Sequence, residues 1–391
     1  MEVSPMNAKR VLSLLLCGAM AALTLAGGSG NPTSAPSSQA PASPSSQSEP
    51  ASSSEPSSSQ NESTVTSSDG TPASSSSEDG DSIVTNGGET IALSALEHQN
   101  DGASSTVYYT KEISPEAMTS IYAALGQEVT GEKIAVKLST GEPPASNYLD
   151  PNLIKDLVQQ VNGTIVECNT AYGGQRANTA MHYQVAKDHG FTDIADFVVL
   201  DEDGSVSLPV NGGEQLTENL VGAHFPEYDG YLVLSHFKGH AMAGMGGAIK
   251  NISIGLGSQE GKCLIHTAGK SHDSPWGGEQ DPFTESMAEA GKSVVDSLDG
   301  NILFISVMNH LSVDCDCNGN PAQPDMHDIG ILASADPVAL DQACVDLVYA
   351  SQDDTASLIQ RMESRNAIHV VEHGEKIGLG SREYRLVYLD A

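Results

Sequence analysis

Eight short apolar runs with strand character recur along the chain, at residues 106–110, 133–138, 164–169, 197–200, 231–235, 301–307, 330–334 and 385–389. Helical patterns at 115–125, 151–161, 177–189, 282–298 and 337–349 lie between many of them. This alternation constrains the fold most, because a strand covered by helices on both faces reads as a continuous apolar run and a parallel neighbour needs a crossover helix. Three of the helical patterns open with Ser114-Pro115, Asp150-Pro151 and Asp336-Pro337, each a capping side chain followed by proline in the first turn. The expected fold is α/β, a largely parallel sheet with helices on both faces, with scope for two lobes around a cleft at the strand C-terminal ends. Ligands of such sheets meet the loops after the strand ends. That rule selects 139–147, 169–176, 236–251 and 309–328, and leaves the Gly- and charge-rich stretch 253–300 with its single Trp276 as a lid or a link to a second lobe.

The N-terminal part of the 391-residue chain has a different character. Lys9 and Arg10 precede an apolar run from Val11 to Ala26, too short and too Gly/Ala-rich for a comfortable transmembrane helix, which reads as a secretory signal over residues 1–28. Its end, Leu25-Ala26-Gly27-Gly28-Ser29, is similar to a bacterial lipoprotein signal except that Gly28 stands where the lipidated Cys belongs. Residues 29–104 are expected to be a Ser/Pro-rich disordered linker and lead-in, spacing a folded domain at 105–391 from a membrane or wall. The expected location is extracytoplasmic, at the cell surface or secreted. Formal net charge is −33, and the linker contributes only seven acids, so most of the excess belongs to the domain. Such a chain is not built to grip a nucleic acid, which needs clustered cations.

Cys17 belongs to the signal, and the remaining Cys168, Cys263, Cys315, Cys317 and Cys344 form no disulfide framework by number or spacing. Cys344 falls in an apolar helical pattern and is expected in the core. The stretch from His236 to Asn251 concentrates His236, Lys238, His240 and Lys250 with Gly244, Gly246 and Gly247 directly after a buried strand. Glycines admit close backbone approach, and successive N–H groups with cationic side chains suit an anion. His236, Lys238, Gly246, Gly247 and Asn251 are therefore candidate ligand-binding residues, joined by Tyr172 and Arg176 from the neighbouring strand-end loop. His240 is the candidate for proton transfer and Lys250 for charge or covalent attachment. Cys315 and Cys317, flanked by Asp314, Asp316 and His310, could chelate a transition metal if the chain turns, or could form a non-metal turn or a disulfide.

The segments Lys137-Leu138-Ser139-Thr140-Gly141-Glu142, the 236–251 loop, Asp314-Cys315-Asp316-Cys317-Asn318-Gly319 and Asp328-Ile329-Gly330-Ile331 through Ala339 resemble the family called domain of unknown function 362, often described as uncharacterised iron–sulfur centre proteins. Many members carry a ferredoxin-type insertion with Cys-x-x-Cys repeats. This chain has no such repeat, so a four-iron cluster of that kind is not expected. His240-x-x-Ala243-Gly244, Gly246-Gly247 and Lys250 are also distantly similar to the nickel-pincer lactate racemases. That likeness implies an acid/base role for His240, a covalent anchor at Lys250 and a metal ligand at His266. Together these readings describe an exported protein that binds a small anionic ligand or a metal-containing cofactor in a strand-end cleft, with its reaction unidentified. The alternative is a non-catalytic surface lipoprotein for metal or ligand binding.

Overall fold

The computed structural model describes residues 81–353 and 356–390. The expected signal and nearly all of the Ser/Pro-rich linker lie outside these residues. In chain order the strands are β1 (Ser82–Val84), β2 (Thr90–Ala92), β3 (Ser105–Thr110), β4 (Ile134–Lys137), β5 (Gly163–Glu167), β6 (Phe197–Val199), β7 (Ser205–Pro209), β8 (Glu218–Gly222), β9 (Gly230–His236), β10 (Lys238–His240), β11 (Gly244–Gly246), β12 (Ile302–Met308), β13 (Gly330–Ser334) and β14 (Tyr384–Tyr388). The α-helices are α1 (Pro115–Ala124), α2 (Pro151–Gln160), α3 (Thr179–Asp188), α4 (Ala248–Ile252), α5 (Gln259–His266), α6 (Gln280–Ser297), α7 (Pro337–Ala350), α8 (Ser357–Ser364) and α9 (His369–Lys376).

One eight-stranded sheet, ordered β14-β3-β13-β12-β9-β4-β5-β6, organises the molecule. All pairings are parallel except those of β13, which runs against both β12 and β3. The alternation of side chains along each strand divides the core in two. Leu232 and Leu234 of β9 with Leu303, Ile305 and Val307 of β12 face a cluster containing α1, α2 and α3. Tyr231 and Val233 with Ile302 and Phe304 face the other cluster, built on helices α4 to α9. Both faces are thus covered, which is why the strands read as continuous apolar runs. Ser114, Asp150 and Asp336 each accept a backbone N–H at the start of a helix, with proline in the first turn.

Two expectations need adjustment. The lead-in before residue 105 is not structureless over its last part, because β1 and β2 pair as a hairpin and Ile83, Ile91 and Leu96 enter the larger core cluster. The stretch 253–300 is neither a lid nor a linker; α5 and α6 pack into that same core through Leu264, Ile265, Phe283, Met287 and Val294. Among the described residues no helix is long and apolar enough to cross a membrane.

Candidate functional site: a cationic cavity at the strand ends

Strands β4, β5 and β9 end at Lys137, Glu167 and His236, and these three residues together with the loops that follow line a cavity of about 80 Å3. That is room for several waters or for a small polar group. All four strand-end segments contribute: Ser139; Thr170, Tyr172 and Arg176; His236, Lys238, Gly246, Gly247, Lys250 and Asn251; and Cys315, Asp316 and Cys317. Five Lys and Arg side chains meet there against two carboxylates, Glu167 and Asp316. In a protein so acidic, this inverted local balance is the site's defining property.

Both carboxylates are already committed. Asp316 accepts from Lys238 Nζ at 2.6 Å and lies 2.8 Å from His236 Nδ1. Burial opposes its charge, but Lys238 and His236 hold its carboxyl well below the usual range. The other ring nitrogen of His236 is 2.6 Å from the Asn309 carbonyl, so this histidine faces an acceptor on each side. Glu167 accepts from Thr140 N, from Arg176 Nη1 at 3.0 Å and lies 3.0 Å from His182 Nε2. Here too burial is outweighed, by Arg176 and His182, and the carboxyl stays ionised. Arg176 spends further donors on Glu142 and Ser139, leaving Nη2 without a partner among the described residues.

Three lysines have no carboxylate in contact. Lys137 Nζ donates to Asn251 Oδ1 at 2.9 Å and to the Leu138 carbonyl, and Lys262 Nζ donates to the Gly257 carbonyl. Burial lowers Lys137 to about 8. Lys250 Nζ has no hydrogen-bond partner among the described residues; burial, then the charge of Lys238, lowers it to about 7. The Lys250 side chain is half-buried, so its ammonium, with no carboxylate in contact and only the more distant Asp316 to favour its charge, lines the cavity without being sealed in the core. The backbone makes room for it: a Cβ on Gly246 would sit 3.4 Å from Lys250 Cδ, and one on Gly255 would press on Lys137 Nζ at 2.8 Å.

The 236–251 loop differs from an open backbone cradle. It folds as a β10–β11 hairpin running into α4, and the Ala248 and Ile249 N–H groups donate to Asp341 of α7 at 2.7 and 2.9 Å. The protein itself therefore caps that helix end, and its first N–H groups do not open onto the cavity. Gly239 is required for another reason, since a Cβ there would lie 2.2 Å from the Val313 carbonyl of the 309–328 loop.

His240 is buried beside the cavity, and its Nδ1 accepts from Ala243 N at 2.9 Å and Met242 N at 3.3 Å. Its lone pair is thereby used, so the neutral ring carries its proton on Nε2 and offers a donor. Burial and the nearby Lys250 charge hold it well below the ordinary histidine value. Cys315 and Cys317 are joined as a disulfide, while Cys168, Cys263 and Cys344 are free and buried. The two sulfurs and a His240 nitrogen lie within 4.8 Å of one another. His266 is not in that group. Its Nδ1 is 2.7 Å from the Lys262 carbonyl, its ring stacks on Phe283, and burial lowers it to about 4. Lys262 and Glu167 have no place in the sequence reading, and Lys137 and Asp316 stand there only inside motifs, with no role in the cavity. His182, which no sequence motif singles out, is fully buried against Glu167.

These features define a class: an α/β protein with a basic pocket at the carboxyl ends of parallel strands. The chain belongs to the family described as Domain of unknown function (DUF362), which matches residues 134–346 and so spans every wall of the cavity. Among solved structures it is similar to the lactate racemase apoprotein from Thermoanaerobacterium thermosaccharolyticum, at 14% identity over 68% of this chain and 61% of that one, with a TM-score of 0.37. It is also similar to a protein from Thermotoga maritima, at 12% identity over 61% of this chain and 59% of that one, with a TM-score of 0.38. The chain thus covers about three-fifths of the length of these structures. No curated protein matches it.

Proposed function

We propose that the cavity receives one small anionic group, a carboxylate or a phosphate, and that Lys250 is the cation that pairs with it. The observation that carries this reading is the half-buried ammonium of Lys250, which has no carboxylate in contact and lines the cavity with four other Lys and Arg side chains in a strongly acidic chain. Arg176 Nη2 and Lys137 line the same cavity and supply further donors, and His240, buried nearby with its proton on Nε2, has a donor to give. A lysine lowered to about 7 exchanges its proton near neutral pH, which also equips the site for proton transfer on the bound molecule. With its N-terminal segment read as a signal and tether, the protein would meet this ligand outside the cytoplasm.

The test is calorimetry of the full chain against a panel of small carboxylates and phosphates. Lys250→Met should abolish binding without loss of stability, while His240→Asn should spare binding. If no member of the panel binds the parent and both variants melt lower, the side chains serve packing and the proposal fails. A second reading rests on the Cys315, Cys317 and His240 grouping. With the disulfide reduced, two thiolates and an imidazole would suit a soft or borderline metal. Metal bound under thiol and unaffected by replacing both cysteines with serine would remove that reading.

A further inference from the structure

A second cluster of ligating side chains lies outside the cavity, where α6 packs on α9. Glu285 and Glu289 on α6, and His369 and His373 on α9, are each spaced by four residues and so share one face of their helix. The two faces meet: Glu285 Oε1 is 3.1 Å from His369 Nε2 and 4.0 Å from His373 Nδ1. Glu214, from the turn between β7 and β8, brings a third carboxylate, and a ligand atom each of Glu214, Glu285 and His373 lie within 4.8 Å of one another.

The surroundings orient these groups. Glu289 is buried and accepts from Glu214 N at 2.7 Å and Leu216 N at 2.8 Å. Burial opposes its charge, yet His373 and these backbone donors keep it ionised. Its Oε1 is 3.2 Å from His373 Nε2, so the proton of that ring sits on Nε2 and the Nδ1 lone pair faces Glu285. His369 Nε2 is already bonded to Glu285 Oε1 at 3.1 Å, and Glu372 lies 3.5 Å from its Nδ1, close enough to take that proton when Nε2 turns to an ion. Gln215 Nε2 donates to Glu285 Oε2 at 2.7 Å, which leaves Oε1 to point between the two rings. The carboxylate bonded behind His373, with Glu372 beside His369, is the arrangement that presents imidazoles to a metal.

We propose that His369 Nε2, His373 Nδ1, Glu285 Oε1 and a Glu214 oxygen form a four-coordinate site for a divalent transition metal of the zinc type. Ligands at ~2.0–2.1 Å from a tetrahedral ion stand about 3.3 Å apart, and the separations of 3.1 and 4.0 Å bracket that value. The ion would displace the ammonium of Lys376, which now lies 2.6 Å from Glu214 Oε1 at the exposed rim. The site shares no residue with the strand-end cavity.

Titrating the full chain, kept oxidised so that Cys315 and Cys317 stay bonded, with Zn2+ alone should give one saturable equivalent and a raised melting temperature. Glu285→Gln and His369→Ala, both partly exposed and so tolerable to the fold, should each weaken binding at least tenfold. Lys376→Met should tighten it severalfold, because a competing cation is gone, an effect that a purely structural ion-pair network would not produce. Co2+ should show the intense visible absorption of four-coordinate geometry in the parent and lose it in His369→Ala. Replacing both Cys315 and Cys317 with serine should leave the equivalent in place. Absence of saturable Zn2+ binding, or binding indifferent to Glu285→Gln and His369→Ala, would overturn the proposal.

Discussion

Lys250 lines the cavity with no carboxylate in contact, and the electrostatic cost of that has a sign. Because folding lowers its proton affinity to about 7, the unfolded chain binds more protons than the folded one between pH ~7 and its ordinary value of 10.5. Its cost is therefore fully present below pH ~7 and is relieved as pH rises through that window. Lys137, lowered to about 8, adds a smaller contribution of the same sign. An anion reverses both shifts by supplying the missing countercharge. Ligand binding should accordingly take up protons above pH ~7, and affinity should fall by up to tenfold per pH unit beyond it. Calorimetry at several pH values, in buffers of different ionisation heat, would measure that uptake. Affinity that stays constant from acid to alkaline conditions would show that neither lysine pairs with the ligand. Sequence inspection found Lys250 because it sits in a loop dense with glycine and histidine. It gave Lys137 and Lys262 no role in the cavity because a single lysine at the end of an apolar strand, or inside a short helix, has no local pattern that separates it from a surface lysine.

Helix α4 is only five residues long and depends on one side chain from a distant element. Asp341 of α7 is fully buried, is raised to about 7 by that burial, and takes both N–H groups at the start of α4. Since Lys250 sits on α4, Asp341 is a positioning residue for the cavity. Asp341→Asn removes the charge and keeps an acceptor for only one of the two N–H groups, turning an NH2 toward the other, so it should cost part of the stability that Asp341→Ala loses. It should also cancel the part of the stability that is present below the unfolded carboxyl value and lost as pH rises through about 7. Asp341→Ala leaves two buried N–H groups unpaired and should cost about 1–3 kcal/mol, read by denaturant unfolding. Gly247→Ala should be equally damaging, because its Cβ would stand 2.2 Å from Asp341 Oδ1. Equal stability of all three variants would show that α4 holds itself. At this scale the sheet was legible in the sequence: the eight apolar runs are the eight strands of the main sheet, shifted by at most two residues at an end. The β10–β11 hairpin, α5, α8 and α9 were not, because short elements built from Gly, His and charged residues lack the periodicity that burial on one face imposes. The bond between Cys315 and Cys317 was equally hidden, since Cys-x-Cys spacing permits either a shared ion or a disulfide.

The whole molecule sets a negative exterior, with a formal charge of −33 over the chain, around a pocket whose lining is positive. A small anion travelling toward that pocket moves uphill through the outer field before it reaches the attraction within. Encounter and residence should therefore respond to salt in different ways. Raising ionic strength from about 20 to about 200 mM shrinks the screening length from roughly 20 Å to under 10 Å, which suppresses the outer repulsion more than the contacts inside. Stopped-flow association with a tight-binding member of the panel should speed up with salt, the reverse of ordinary electrostatic steering. Two salts with different anions would separate screening from competition for the pocket. An association rate that falls in both would mean that the mouth of the pocket, not the exterior, governs arrival. The barrier also scales with ligand charge: a polyanion pays it several times over and a single carboxylate once. If the pocket takes the anion proposed for it, the charge distribution would act as a kinetic sieve that admits light anions and turns away highly charged polymers before any pocket residue is touched.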